Sequence, residues 1–168
     1  MVKILVIDDE TDVCEFTKSF FKKRGFEVFT STSGEKGISI AQEMKPDYAV
    51  IVTTPQEVSV MDAERAINMA RKLEIPFIGV VENMSGFVCP HCGAVSEIFG
   101  AGGGEKLAAD YGVDFLGSIP IDIDARILSD KGKPIVLEKQ NCEVSLVYKS
   151  IASFVIAHSQ KELQTKLV

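Results

Sequence analysis

The chain has 168 residues, of which 46% are hydrophobic and 25% are charged, a composition typical of a globular domain large enough to bury a core. Its formal net charge of −6 argues against nucleic acid or an anionic membrane as the main partner, because both attract clustered lysine and arginine. No apolar stretch reaches the roughly 20 residues of a membrane-spanning helix, and four unevenly spaced cysteines do not make a disulfide framework, so we expect a cytoplasmic protein.

Short apolar runs of β type alternate with longer segments of helical period along the chain. The apolar runs predict strands at residues 3–7, 26–30, 48–52, 77–81 and 115–119. A helical segment follows each run, and the last one repeats apolar residues on one face. Five β/α units in strict alternation predict a single α/β domain, residues 1–168. Its three layers are a five-stranded parallel sheet between helices, joined by right-handed crossovers.

A long connection, residues 83–104, separates the fourth predicted strand from the next helix. Connections of this length tend to be functional or disordered. It contains Cys89 and Cys92, whose spacing lets two thiolates face one soft metal ion, and Gly93, which eases the turn. One such pair supplies two of the four ligands that Zn²⁺ or a [4Fe–4S] cluster takes. The alternative interpretation is an exposed, metal-free loop.

A glycine-rich stretch at residues 100–107 looks like a phosphate loop that opens a helix. The Walker A pattern places glycine before its lysine and serine or threonine after it, but these positions hold Glu105 and Leu107. Without the hydroxyl there is no Mg²⁺ ligand, and Glu105 repels phosphate. We therefore interpret the stretch as a flexible hinge, with a backbone anion nest as the alternative.

Three carboxylates, Asp8, Asp9 and Glu82, come at the ends of predicted strands. Ligands of open α/β sheets bind at that edge, and Mg²⁺ takes oxygen ligands. Asp8 and Asp9 are therefore a candidate site for weak divalent-cation binding. The alternative, which we favour for all three, is that they are solvated turn carboxylates.

From residue 1 to residue 47 the chain resembles the receiver domain of two-component response regulators. The resemblance rests on the run Lys3–Glu10, on Gly25–Val28 and on Lys45–Asp47. In that family the acidic pair holds Mg²⁺ beside a phosphoacceptor aspartate at the end of the third strand. The resemblance therefore implies a phosphorylation site near residue 52.

The remaining positions of the receiver site do not carry the side chains that phosphoryl transfer needs. The phosphoacceptor position falls on Val52, the hydroxyl position at the end of the fourth strand on Val81, and the lysine position before Pro120 on Ile119. Aliphatic side chains neither accept nor stabilise a phosphoryl group. A receiver that transfers phosphate is excluded, and a degenerate signalling domain is the weakest of our functional alternatives.

From residue 48 to residue 168 the chain resembles the C-terminal part of the Mrp/ApbC family of iron–sulfur carrier P-loop ATPases. The matching motifs are Val50–Gln56, Gly79–Met84, Cys89–Gly93, Phe99–Leu107 and Gly117–Pro120. The resemblance implies a two-fold dimer in which each subunit gives Cys89 and Cys92 to one bridging cluster. It also places Asn83 and Pro120 near an adenine, as residual nucleotide-binding residues. The family's Walker A loop does not occur in the sequence.

The two resemblances together predict an engineered chimera with its seam in the third strand. Both parents keep the same strand neighbours, which predicts the flavodoxin-like strand order 2-1-3-4-5. We expect a monomeric scaffold that is not an enzyme and requires no cofactor. The alternative is a metal-binding or [4Fe–4S]-binding module that is homodimeric through Cys89 and Cys92.

Overall fold

The computed structural model describes residues 3–46 and 48–165, with side chains described as far as residue 157. The chain divides into two compact units. The smaller unit lies within residues 1–47 and 72–75, and the larger unit within residues 48–71 and 76–168. That the whole chain folds as a single domain stays a prediction.

The smaller unit is a two-stranded parallel ladder with two helices. Its elements are β1 (Lys3–Ile7), α1 (Thr11–Lys22), β2 (Glu27–Ser31) and α2 (Gly34–Met44). The strands pair in register from Lys3↔Glu27 to Ile7↔Ser31. Each helix turns a small or apolar face inward, with Cys14 buried on α1 and Ala41 and Met44 buried on α2. The strand–helix–strand–helix pattern that the sequence predicts for this segment is confirmed.

The larger unit contains the remaining elements of the chain. They are β3 (Tyr48–Thr53), α3 (Glu57–Lys72), β4 (Phe77–Val88), β5 (Val95–Ser96), α4 (Gly103–Tyr111), β6 (Asp114–Ile121), α5 (Ile123–Asp130), α6 (Ile135–Glu138) and α7 (Glu143–Thr165). No helix within the described ranges is both long and apolar enough to cross a membrane.

Strand β4 is the centre of the sheet in the larger unit. It pairs in parallel with β3 on one side and with β6 on the other, and its last residues pair antiparallel with the short β5. Val81 and Ile119 belong to the core that these strands form with Leu116 and Val144. The aliphatic residues at the two positions that a receiver fills with reactive side chains therefore have a packing role.

The α/β class and the parallel strands are confirmed, but the predicted five-stranded order 2-1-3-4-5 is not. The ladders β1–β2, β3–β4 and β4–β6 reproduce three of its neighbour pairs, yet they form separate sheets of two and four strands. In the described residues no ladder joins β1 to β3. Apolar periodicity predicts that a segment is a strand, but pairing is made by backbone groups that periodicity does not report.

The predicted loop at residues 83–104 is wrong at its start, where the chain still belongs to a strand. Strand β4 continues to Val88 and turns back into β5. An irregularity hid this continuation, because the β4–β6 register shifts between Asn83 and Phe87. Within it Met84 and Gly86 have φ values of 58° and 76°. Such a bulge breaks the alternation by which strands are recognised.

Gly79, on β4, gives room for two neighbouring side chains in the core. A Cβ atom at Gly79 would lie 2.7 Å from Leu116 Cδ1 and 2.9 Å from the Tyr48 hydroxyl oxygen. Burial of this hydroxyl, with a smaller contribution from Asp114, raises the pKa of Tyr48 to about 12. Tyr48 and Leu116 therefore pack across the bare backbone of Gly79.

We expect Gly79→Ala to lower the free energy of unfolding by about 1–3 kcal/mol, because overpacking forces its neighbours to move. Urea unfolding followed by circular dichroism measures this change. Gly34→Ala is the matched control, since a Cβ at Gly34 meets no atom within 4 Å, and it should be neutral. Equal stability of Gly79→Ala and the unsubstituted chain would contradict the packing described above.

Candidate metal centre

A tight hairpin between β4 and β5 presents the two cysteines at its tip. Phe87 pairs with Ser96, and Val88 with Val95. Beyond this ladder the Cys89 amide donates to the Ala94 carbonyl at 2.9 Å, and the Gly93 amide donates to the Cys89 carbonyl at 2.9 Å. Gly93 has a φ of 72°, a conformation that glycine adopts without a Cβ clash. The turn is thus closed by backbone hydrogen bonds.

The turn also directs hydrogen-bond donors at one of the thiols. The pKa of Cys89 is lowered first by the backbone N–H of His91, then by the backbone N–H of Cys92, and then by the Cys92 thiol. Because the thiolate is the form that binds metals, this arrangement prepares Cys89 as a ligand. The spacing of the cysteines does not reveal this role of the His91 backbone, because it depends on the conformation of the turn.

A single chain supplies only part of a metal coordination shell. Cys89 and Cys92 are both free thiols, and among the described residues no group of three or more His, Cys, Asp or Glu side chains could hold a metal ion. Zn²⁺ and [4Fe–4S] clusters each take four protein ligands or their equivalents. The residues present therefore fit half of such a site.

At the base of the hairpin the carboxylate of Glu82 is wholly buried, with 0% of its surface exposed. Oε1 accepts hydrogen bonds from the Ser85 hydroxyl at 2.6 Å and from the Gly102 amide at 2.9 Å. Oε2 accepts a hydrogen bond from the Gly104 amide at 2.6 Å. Glu82 is thus a buried, fully bonded group, and its interpretation as a solvated turn carboxylate is wrong.

The glycine-rich stretch that precedes α4 encloses this carboxylate. A Cβ at Gly104 would lie 3.0 Å from Glu82 Cβ, and a Cβ at Gly103 would lie 2.7 Å from the Pro55 carbonyl oxygen. Close packing, rather than the freedom of a hinge, therefore explains glycine at Gly103, where a Cβ would clash with backbone, and favours it at Gly104, where the contact would be tight. The anion that the amides of Gly102 and Gly104 bind is a side chain of the same protein.

Asn83 borders an open cleft of about 390 Å³ at the end of β3. The polar part of its lining is Thr53, Thr54, Ser59, Asp62 and Asn83. Pro120 lies on β6 directly after Ile119, the residue that pairs with Asn83. The two proposed nucleotide-binding residues thus come from adjacent strands at the same level of the sheet. Their role in binding a nucleotide stays a prediction.

Asp8 and Asp9 follow β1 in the smaller unit. Asp8 Oδ1 accepts a hydrogen bond from the Glu10 amide at 2.9 Å, and the Asp8 amide donates to the Ser31 carbonyl at 3.1 Å. Asp9 is exposed. This geometry is that of a solvated turn, the interpretation that the sequence favoured for Asp8 and Asp9, and weak Mg²⁺ binding by the pair stays a prediction.

The fold and the hairpin define a parallel α/β protein that presents two thiols, at the spacing of metal ligands, on one turn. A family model described as ParA, NUBPL iron-transfer P-loop NTPase, matches residues 31–156. The match covers more than half of the chain. The chain belongs to this family.

Three curated relatives of the chain are named as iron–sulfur proteins. An iron–sulfur cluster carrier protein of Pyrococcus horikoshii is 56% identical over 109 residues, which cover 65% of this chain and 37% of that protein. The iron–sulfur cluster carrier protein of Escherichia coli K12 is 41% identical over 125 residues, 74% of this chain and 34% of that protein. An Arabidopsis thaliana mitochondrial iron–sulfur protein required for NADH dehydrogenase is 42% identical, covering 80% and 45%. The chain thus spans less than half the length of these three relatives.

A solved structure shares the arrangement of the fold. A nucleotide-binding protein of Archaeoglobus fulgidus, in complex with ADP, superposes with a TM-score of 0.60 at 25% identity, over 85% of this chain and 78% of that one. A likeness that covers most of both chains supports a P-loop NTPase-like arrangement of the parallel strands and helices.

These findings correct three predictions. The engineered chimera is wrong, because the family match begins at Ser31, inside the segment assigned to a receiver, and runs through β3. The non-catalytic scaffold and the absence of enzymatic function are also wrong, since the family is one of P-loop NTPases. The receiver resemblance rested on an aliphatic strand followed by acidic residues, and many parallel α/β proteins share that feature.

We expect iodoacetamide to alkylate Cys89 with a midpoint at lower pH than an ordinary exposed cysteine. Hydrogen bonds that stabilise the thiolate lower the pKa of Cys89, so the reactive form persists as the pH falls. Peptide-resolved mass spectrometry across a pH series measures the midpoint. Cys92→Ala should raise it only part of the way, because the His91 amide, the largest cause, remains. A midpoint at the ordinary value would contradict the geometry of the turn.

Proposed function

We propose that this chain carries an iron–sulfur cluster on Cys89 and Cys92, shared between two copies of the chain. The observation that supports this most directly is the hairpin tip, where the backbone of residues 89–94 arranges two free thiols and lowers the pKa of Cys89. Sulfur ligands select soft metal centres, iron–sulfur clusters among them. Membership of an iron-transfer family agrees with this chemistry.

The partner that completes the site is a second copy of the same chain. An isologous two-fold contact brings identical patches together, so that two hairpins would give four thiolates to one cluster. Apolar side chains surround the cysteines, and Val95 and Ile98 are 69% and 58% exposed. Val88 and Met84 are also exposed on the same hairpin. An exposed apolar group beside a half-complete site is typical of an interaction surface.

The exposure of the two thiols suits a cluster that is delivered rather than kept. Cys92 is exposed and Cys89 is half-buried, so an incoming thiolate of an acceptor protein can reach the iron that Cys92 would hold. In such an exchange one iron–sulfur bond forms to the acceptor while the bond to Cys92 breaks, and the released thiolate takes up a proton from water. The cluster keeps its oxidation state throughout.

Free thiols at all four cysteines of the chain support a reducing compartment. Iron–sulfur clusters with solvent-exposed ligands are also best preserved under reducing conditions. We therefore propose a cytosolic location.

Nucleotide binding is the second function that we propose, because the family is one of P-loop NTPases. The cleft at the end of β3 presents hydroxyl, carboxylate and amide groups from its lining residues. Asn83 is among them, and its Oδ1 accepts a hydrogen bond from the Met84 amide at 3.0 Å. The Asn83 side-chain amide group is left to face a purine base. Hydrolysis of the nucleotide is proposed at the level of the family, since the three relatives described above are longer than this chain.

We expect anaerobic reconstitution to yield one [4Fe–4S] cluster per two chains, with a dimer that forms only when the cluster is present. Iron and sulfide analysis, absorbance near the thiolate-to-iron bands, and light scattering after size exclusion measure these properties. Cys89→Ser combined with Cys92→Ser should abolish both the cluster and the dimer, because each chain loses both of its ligands and the cluster loses all four.

The same double variant should melt within a few degrees of the unsubstituted chain in metal-free buffer, because the substitutions leave the backbone hydrogen bonds of the turn in place. Cys142→Ser is the matched control, since this thiol donates to Ser145 Oγ at 3.2 Å and lies outside the hairpin. It should keep the cluster and the dimer. A cluster that survives the double substitution would refute the proposed site.

We expect ADP to bind this chain, and Asn83→Ala to weaken its binding by about tenfold, the loss of roughly one hydrogen bond to a base. Isothermal titration calorimetry measures the affinity. Asn68→Ala, on the helix α3 and away from the cleft lining, is the matched control and should bind ADP as the unsubstituted chain does. Equal affinities of all three proteins would remove Asn83 from the nucleotide site.

A further inference from the structure

We propose that Glu82 is a positioning residue for the metal-binding hairpin. Its buried carboxylate ties the base of the hairpin to the N-terminus of α4, and this tie holds Cys89 and Cys92 in the orientation that a metal requires. The proposal rests on the proposed function of those cysteines as ligands, and its test includes a measurement that does not depend on any cluster.

The first observation is the set of donors around the carboxylate. Ser85 belongs to the hairpin strand, whereas Gly102 and Gly104 belong to the start of α4. Glu82 accepts hydrogen bonds from all three, at 2.6–2.9 Å. One carboxylate therefore joins the two ends of the segment 85–104, whose middle contains both cysteines.

The second observation is the weakness of the other restraints on the hairpin. The β4–β6 register shifts between Asn83 and Phe87, so the ladder that holds the rest of β4 is interrupted where the hairpin begins. Met84 adopts a φ of 58° there, an unfavourable conformation for a side chain of its size. Beyond the bulge the hairpin has a two-residue partner, β5, whose residues are both exposed. Its direction is therefore set largely at the bulge, where Ser85 contacts Glu82.

The third observation concerns the free energy of burying the Glu82 carboxylate. Glu82 is completely buried, and none of the ion pairs in the described part of the chain includes it. Burying a carboxylate without a cation is unfavourable unless hydrogen bonds compensate, and an apolar residue at such a position is often the more stable choice. Stability alone is thus a poor explanation for a glutamate at this position, while a directional tie between two segments explains it.

The variant that tests the tie is Glu82→Gln, which keeps the shape of the side chain. The glutamine NH₂ group would point a donor at one of the three donors that now serve the carboxylate, so at least one hydrogen bond is lost. Residues that orient metal ligands typically change metal affinity by roughly 10- to 100-fold when they are replaced. We expect a loss in that range for Co²⁺, titrated into the reduced, metal-free full chain and followed by its thiolate charge-transfer absorbance.

Glu97→Gln is the matched control, because it removes an exposed carboxylate next to β5. It should bind Co²⁺ as tightly as the unsubstituted chain. Ser85→Ala removes one donor from Glu82 and leaves the carboxylate in place, and it should weaken Co²⁺ binding by a smaller factor than Glu82→Gln. If Glu82→Gln does not fold, Ser85→Ala decides the question, and unchanged affinity in that variant overturns the proposal.

Hydrogen exchange on the metal-free protein separates positioning from general stabilisation. A positioning role predicts that Glu82→Gln lowers the protection of amides in residues 85–99 while those of β3 and α7 keep theirs. A merely structural role predicts a uniform loss, and that result overturns the proposal. Failure of the unsubstituted chain to take up a [4Fe–4S] cluster would instead refute the proposed function, and the exchange measurement on Glu82 would stand independently.

Discussion

The Glu82 carboxylate accepts hydrogen bonds from the amides of Gly102 and Gly104. The arrangement of the cysteine hairpin and of the start of α4 depends on this contact. Burying a carboxylate destabilises the folded state unless hydrogen bonds replace those that the group makes with water. Here the donors come from a helix N-terminus, where unpaired amides and the helix dipole both favour a negative group. The contact therefore supplies an acceptor to the free amides at the start of α4. It also anchors β4 at Glu82, just before the bulge where the hairpin begins.

The glycines of this region follow from that contact. Gly103 lies so close to the Pro55 carbonyl that a Cβ would clash with it, and a Cβ at Gly104 would make a tight contact with the Glu82 side chain. A stretch that looks in the sequence like a loop for phosphate is thus filled by an anion of the protein itself. The cysteine turn is arranged by similar means, because amides of His91 and Cys92 direct their hydrogens at the Cys89 sulfur. In both places backbone N–H groups, rather than charged side chains, stabilise a negatively charged side chain.

The wrong prediction of a receiver segment shows that short motifs are weak evidence for membership of a family. An aliphatic strand, two aspartates and a lysine–proline pair suggested a receiver, but every parallel α/β protein needs buried strands with polar ends. Val52, Val81 and Ile119 lack the groups of a receiver site, and two of them, Val81 and Ile119, are core residues. In the sequence the aliphatic residues suggested a receiver site without its reactive groups. Packing in the core explains Val81 and Ile119. The longer motifs around Cys89 and Cys92 gave the correct relation, since they combine chemistry with spacing.

What the sequence by itself determined are the properties that local spacing encodes. These are the positions of most helices and strands, the α/β class, and the pair of thiols at the spacing of metal ligands. The tertiary structure decided that β4 continues to Val88, that the ladders form sheets of two and four strands, and that Glu82 is buried. The physical reason is separation along the chain. Glu82 and Gly104 are 22 residues apart, and only folding shows that a carboxylate and an amide so distant in sequence form one hydrogen bond.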